Sequence, residues 1–263
     1  MEDFDNKGWR PASDLHFTRR LEAIGLAVEE IGVASQSLPI AFLRDRDHWV
    51  AMAVFSPGDG LNRFLDPVTG HWKGPYIPAL LRGYPFRLAA DDDQTLQLWP
   101  GVAPEPLMEG VEPFTQDGEV TETVRAIHAH LRRAHRGIRQ THEAIALLND
   151  CDVLVPLVLE QHQDQDAPVV LSGRPAYTLD ADRLEGLDDT SFRWLRALDA
   201  LNWVYAVQNS LHHLGRLREP RPKVDDMVFD KIEASPGGPD AMALSGLGRL
   251  FDDAEAPIRF GHP

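Results

Sequence analysis

The sequence predicts an α+β fold, with short antiparallel strands in its N-terminal part and long helices in its C-terminal part. Three observations carry this. Apolar runs broken by Gly, Pro and charged turns fill the chain up to about Gly118. From Thr121 onward apolar residues recur at helical spacing. The two patterns are segregated rather than interleaved, which argues against a βαβ parallel sheet.

In chain order, residues 1–12 read as a loose leader. Ile24, Leu26–Val28 and Ile31 give Ala23–Ala34 the spacing of a short helix, weakened by Gly25 and Gly32. Pro39–Leu43 reads as a strand that starts on its proline, where no ladder bond is lost. The charged turn Arg44–Asp47 joins it to a second strand, Trp49–Phe55, as a hairpin. Ser56–Gly60 is a turn. Residues 61–88 alternate aromatics with Gly and Pro and predict short strands and turns. Thr95–Trp99 is another short strand, and Pro100–Gly118, with four prolines, is a long irregular connection.

The helical part opens with Val124, Ile127, Leu131, Ala134, Ile138, Ile145 and Leu148, one amphipathic helix over Thr121–Leu148 with a polar interruption at Thr141. Val153–Leu159 and Val169–Leu171 flank the polar stretch Gln161–Ala167 as a second hairpin. Asp180 caps a short helix reaching Leu187. Asp189–Leu217 reads as a second long helix, apolar on most sides and therefore central. The expected organisation is one domain over 13–218, strand-rich in 13–118 and helix-rich in 119–218, followed by a peripheral tail, 219–263, with one helix near Ala241–Phe251.

Composition narrows the function classes. The 263 residues are 43% hydrophobic and 25% charged, as in ordinary globular proteins. A net charge of −15 disfavours coating of nucleic acid, which needs a concentrated basic surface. It equally disfavours adhesion to anionic lipid. One cysteine, Cys151, permits no intramolecular disulfide. The acidic start lacks the pattern of a secretory signal, and no run of apolar residues is long enough for membrane insertion. The expected location is the cytoplasm.

Candidate chemistry is sparse. His162 and Asp164 form an H-x-D pair which, with His212 downstream, matches the donor set of a two-histidine, one-carboxylate Fe(II) site of oxygenase type. The alternative is a solvated hairpin turn. His128, His135 and His142 recur every seven residues, too far apart along a helix to share one ion, and are expected to edge a helix interface. Arg125, Arg132, Arg133, Arg136 and Arg139 share that helix, either as a solvated face or as a dock for an acidic partner or another part of this chain. Cys151 lies between Asp150 and Asp152, carboxylates that oppose thiolate formation. Neither a G-x-S-x-G elbow nor a phosphate-cradling Gly-rich loop occurs.

The most distinctive stretch is Asn62–Phe86. Its candidate binding residues are Asn62, Phe64, Asp66, Trp72, Tyr76, Arg82, Tyr84 and Phe86. Trp, Tyr and Arg anchor recognition surfaces, and prolines hold such rings in place. Packing of the same rings into a core is the equal alternative.

These residues resemble the SapC family, named for a bacterial surface-array (S-layer) locus. His16 stands near the start, and Glu30-Ile31 followed by Leu38–Phe42 looks like the family's "EF…yPIvF" stretch. Asn62, Phe64, Asp66, Gly70, Trp72, Tyr76–Ala79, Arg82 and Tyr84–Phe86 look like its "NLFvd..G.W..YiPa..RRYPF" signature. Leu171–Gly173, Tyr177, Asp180 and Leu184–Leu217 look like its C-terminal half, so the resemblance covers about residues 14–218. Arg63 replaces the usual apolar residue, and Gly83 stands where a second arginine is usual. The resemblance brings no defined catalytic residues. It implies an accessory protein without a cofactor, linked to the envelope, to TonB-dependent receptors or to flavin-dependent halogenase-like proteins.

Overall fold

The structure is a computed structural model that describes residues 6–56, 59–89, 92–159, 167–218 and 258–259. Along the chain run β1 (Lys7–Trp9), a 3-10 turn His16–Thr18, β2 (Ala23–Gly25), α1 (Val28–Ala34), β3 (Ile40–Asp45) and β4 (His48–Val54). Next come α2 (Ala79–Arg82), β5 (Phe86–Leu88), β6 (Thr95–Leu98), and the two-residue strands β7 (Glu105–Pro106), β8 (Glu112–Pro113), β9 (Thr115–Gln116) and β10 (Glu119–Val120). Helices α3 (Glu122–Gln140) and α4 (His142–Asp150) precede β11 (Leu154–Pro156), β12 (Val158–Leu159), β13 (Ala167–Pro168), β14 (Val170–Leu171), β15 (Arg174–Pro175) and β16 (Tyr177–Leu179). The chain continues through α5 (Ala181–Glu185), α6 (Asp189–Ala197), α7 (Leu201–Ser210), a 3-10 turn Leu211–His213 and α8 (Leu214–Leu217), and β17 (Ile258–Arg259) follows. This is the α+β segregation that the sequence predicts.

The central sheet is antiparallel, ordered β11-β16-β3-β4-β2. Its β3–β4 hairpin is the expected one, closing on Arg46 at φ 54°. Both faces of β3 are covered, since Ile40 through Leu43 are all fully buried. Phe42 meets Trp203 of α7 edge-on at 6.4 Å. On the opposite face Gly25 lies under Ile138 of α3, whose Cδ1 would be 3.1 Å from a Cβ there. The sheet is therefore sandwiched between α3 and α7, which explains why β3 reads as a continuous apolar run rather than an alternation.

Four expectations are corrected. Ala23–Gly25 is a strand on β4, not the first turn of a helix, which begins only at Val28. The supposed leader contains β1, the middle strand of a sheet ordered β7-β1-β8, so the connection Pro100–Gly118 is partly ordered by pairing across it. Gly8 permits this: a Cβ there would lie 2.2 Å from the Glu112 carbonyl oxygen. The helix over 121–148 breaks at Thr141, whose buried hydroxyl donates to the Ile138 carbonyl at 2.8 Å. The helix over 189–217 breaks near Asp199, at φ 53°, and again at the 3-10 turn.

A hairpin exists as β12–β13, whose connecting residues 160–166 lie outside the described residues, but its second arm is Ala167–Pro168, and Val170–Leu171 of the expected arm pairs with β15 instead. Leu154–Pro156 instead joins the central sheet against β16. The helix expected near Ala241–Phe251 also lies outside the described residues. From the tail, Ile258–Arg259 adds to the edge of β6.

Candidate functional site

The segment Asn62–Phe86 is built from the inside outward. The Asn62 side-chain oxygen accepts from the Phe64 N–H at 2.8 Å, and its amide donates to the Thr18 carbonyl at 3.2 Å. This fixes Phe64, fully buried, against Phe55 edge-on and Trp72 stacked, both at 6.0 Å. Asp66 accepts from the N–H groups of Val68 and Thr69, at 3.0 and 2.9 Å, and closes a turn through Gly70. Those N–H bonds, Thr69's foremost, hold its carboxyl below the usual range. Gly70 has φ +69°, and a Cβ there would lie 2.4 Å from Nδ1 of His16. Only glycine suits that backbone and that contact.

The second half hangs on Glu30. This buried carboxylate accepts from the Tyr76 hydroxyl at 2.7 Å, from the Ala79 N–H at 2.6 Å and from the Ala27 N–H at 3.0 Å. One side chain thus ties the start of α1 to the start of α2. Burial, then the Glu30 hydrogen bond and charge, pushes the Tyr76 phenol far up. Trp72 Nε1 donates to the Tyr76 carbonyl at 2.8 Å, and His130 of α3 bonds the Ala79 carbonyl at 2.8 Å. The 84–85 peptide is cis, and Tyr84 stacks on Phe17 at 3.7 Å with 15° between the planes.

An open cleft of about 370 Å³ lies where this segment meets the N-terminal strap. One wall is Leu81, Arg82 and Tyr84, the other is Trp9 with Pro11–Leu15, and Ile127 of α3 completes it. Asp14 accepts from the His16 N–H at 3.0 Å and faces His16 Nδ1 at 3.1 Å, while the Ser13 hydroxyl donates to it at 3.3 Å. Burial works against that charge, yet these bonds hold the carboxyl below its ordinary range. Burial, then the nearby Asp14 charge, raises the Tyr84 phenol, which therefore keeps its proton as a donor.

The candidate binding residues separate accordingly. Asn62, Phe64 and Phe86 lie in the interior. Trp72 and Asp66 are half-buried and engaged within the segment, and half-buried Tyr76 is bonded to Glu30 of α1. Arg82, exposed, and Tyr84, half-buried, come together at the cleft. Sequence reasoning missed Trp9 and Asp14 because the strap carries no periodic pattern. It also missed Glu30 as an organiser, although a glutamate three residues after an N-cap is a recognisable register.

Of the iron-site candidates, His162 and Asp164 lie outside the described residues. His212 is exposed, with Nδ1 against the Asn209 carbonyl and its ring 3.7 Å from that of His213. Among the described residues no group of three or more His, Cys, Asp or Glu side chains is placed to hold a metal ion. His128 and His142 edge helix interfaces, bonding the Asp93 carbonyl at 3.0 Å and accepting from the Trp49 N–H at 2.9 Å. The arginine face of α3 does meet another part of this chain: Asp93 lies 3.6 Å from Arg132 and 3.9 Å from Arg139. Cys151 is half-buried, its thiol 3.4 Å from the Ser191 hydroxyl. No helix among the described residues is long and apolar enough to cross a membrane.

Comparison with known proteins adds one match. The model of the family SapC matches residues 1–217 of the chain. No curated protein and no solved structure matches it significantly.

Proposed function

The chain belongs to the SapC family, and we propose that it is a non-catalytic accessory protein that holds a peptide or protein partner in the cleft beside Arg82 and Tyr84. The observation that carries this reading is the division of labour within Asn62–Phe86. The interior half of the segment is a scaffold, and its end presents an arginine and a tyrosine to an open cleft with mixed polar and apolar walls. Such pairings of Tyr and Arg with apolar surface are typical of recognition sites. The partner class is the one that the family resemblance implies: an envelope component linked to an S-layer or a TonB-dependent receptor, or a flavin-dependent halogenase-like protein of a peptide-modification pathway. The working location is the cytoplasm, and no cofactor enters the reading.

The test is affinity purification from native cells of the full chain and of Arg82→Ala, with the recovered proteins identified by mass spectrometry. A partner at near-stoichiometric yield with the natural chain, lost with an equally stable Arg82→Ala, is the expected result. Recovery undiminished by the substitution overturns the placement at the cleft. Stoichiometric iron that disappears on changing His162 and Asp164 to alanine overturns the non-catalytic reading.

A further inference from the structure

We propose that the cleft takes a segment with acidic and apolar side chains, whose carboxylate pairs with Arg82 while a neighbouring apolar side chain seats against Leu81 and Ile127. This rests on the binding reading above and names the chemistry of its ligand. Arg82 ends α2, is exposed, and sits on the cleft wall. Its guanidinium stands 5.8 Å from the centre of the Tyr76 ring, and no described carboxylate lies within ion-pair distance of it. By contrast Arg63, Arg132 and Arg174 all pair with an aspartate. What sets Arg82 apart is its place: its guanidinium lies beside the Tyr76 hydroxyl on the wall of the cleft, where it can meet an external anion.

The other groups around the cleft agree. The Tyr84 side chain, whose phenol keeps its proton, lies on the same wall as Arg82. The one anion on the walls, Asp14, has its oxygens engaged within the strap by His16 and Ser13. Asp14 repels a second carboxylate from its own wall and leaves the Arg82 end as the favoured seat. Leu15, Leu81 and Ile127 give the cleft an apolar side against which an uncharged side chain can seat next to the carboxylate. The volume of about 370 Å³ falls in the range of ligand pockets and exceeds what a lone carboxylate needs.

The experiment titrates the full chain with two blocked peptides, acetyl-Leu-Glu-Leu-amide and its Gln twin, followed by backbone-amide NMR. The acidic peptide is expected to shift the amides of Ala12–Leu15 and Leu81–Tyr84 and to bind roughly tenfold tighter than the twin. In Arg82→Gln that preference falls to about threefold or less, and Arg82→Lys restores part of it. Equal binding of both peptides at these amides overturns the carboxylate claim and leaves the binding reading standing. Shifts confined to other surfaces, or none at millimolar peptide, overturn both. A preference that survives Arg82→Gln removes Arg82 as the anchor and sinks the proposal.

Discussion

Gly83 offers the sharpest test of how the Arg82 end of the segment is held. A Cβ at this position would lie 2.5 Å from Cδ2 of Leu131, 2.9 Å from its Cγ and 3.2 Å from its Cδ1. Ordinary carbon contacts need about 3.5–4.0 Å, so an added methyl must push Leu131 by roughly 1 Å. Leu131 is 1% exposed on α3 and packed on all sides, so it has little room to yield. Overpacking of this kind costs about 1–3 kcal/mol. Gly83 has φ −85°, an ordinary value, so backbone strain adds nothing, and the stiffer unfolded chain of an alanine variant returns about 0.4–1 kcal/mol. Gly83→Ala is therefore expected to destabilise by about 1–2 kcal/mol. Leu131→Ala alone should cost about 2–5 kcal/mol as a cavity. In the double variant the new methyl enters that cavity, and the two effects should fall short of additivity by at least about 1 kcal/mol. Urea unfolding of the four proteins measures this cycle. Additivity within about 0.5 kcal/mol would refute the close approach of this segment to α3. With the backbone where it is, any larger residue at Gly83 would point its Cβ into Leu131.

Three other outcomes are expected. His135 has its pKa pushed down to about 4, by burial first and then by Arg139, against the opposing pull of Asp93. A histidine depressed on folding contributes stability that is full above the unfolded value near 6.5 and is lost as pH falls through 4. The natural chain should therefore lose about 2 kcal/mol more than His135→Gln between pH 7.5 and 4.5, and parallel pH profiles in urea melts would show that the ring is not desolvated. Glu30→Gln sets its amide NH2 against the backbone N–H of either Ala27 or Ala79, which bond different oxygens of the carboxylate, and should cost about 2–3 kcal/mol by denaturant unfolding, whereas a loss under about 0.5 kcal/mol would mean that α1 and α2 are not tied through this carboxylate. Trp72→Ala removes a ring packed on Phe55 and Phe64, so thermal melting should show a loss of about 3–5 kcal/mol. Its normal folding together with lost partner binding would instead put Trp72 on the recognition surface.

The elements legible in the sequence are those whose cause is local. The β3–β4 hairpin is announced by a charged four-residue turn between apolar runs, and α3 by its apolar stripe, both readable without tertiary knowledge. What could not be read has distant causes. β1 is three residues long and gains its strand character from partners about a hundred residues away, Glu105–Pro106 and Glu112–Pro113. The break at Asp199 falls in Leu195–Leu201, where only Asp199 is a poor helix former; it takes the left-handed region that Asp tolerates, while packing of buried Leu195 and Ala200 fixes the break there. The candidate site divides along the same line. Composition put Phe64, Arg82 and Phe86 in one class, although two of them are core and one is exposed. A ring's burial is decided by what packs on it, here Phe55 and Trp72 around Phe64, Trp9 and Phe114 around Phe86. The cleft was hidden for a further reason: one of its walls is the strap that follows β1, and a strap held by non-local pairing has no pattern of its own. The length of the Asn62–Phe86 signature then has a physical meaning. Asn62, Asp66, Gly70, Trp72 and Tyr76 form one hydrogen-bonded and packed unit that ends in Tyr76 beneath the Arg82 guanidinium, so a residue on the cleft wall is placed by several that do not line the cleft.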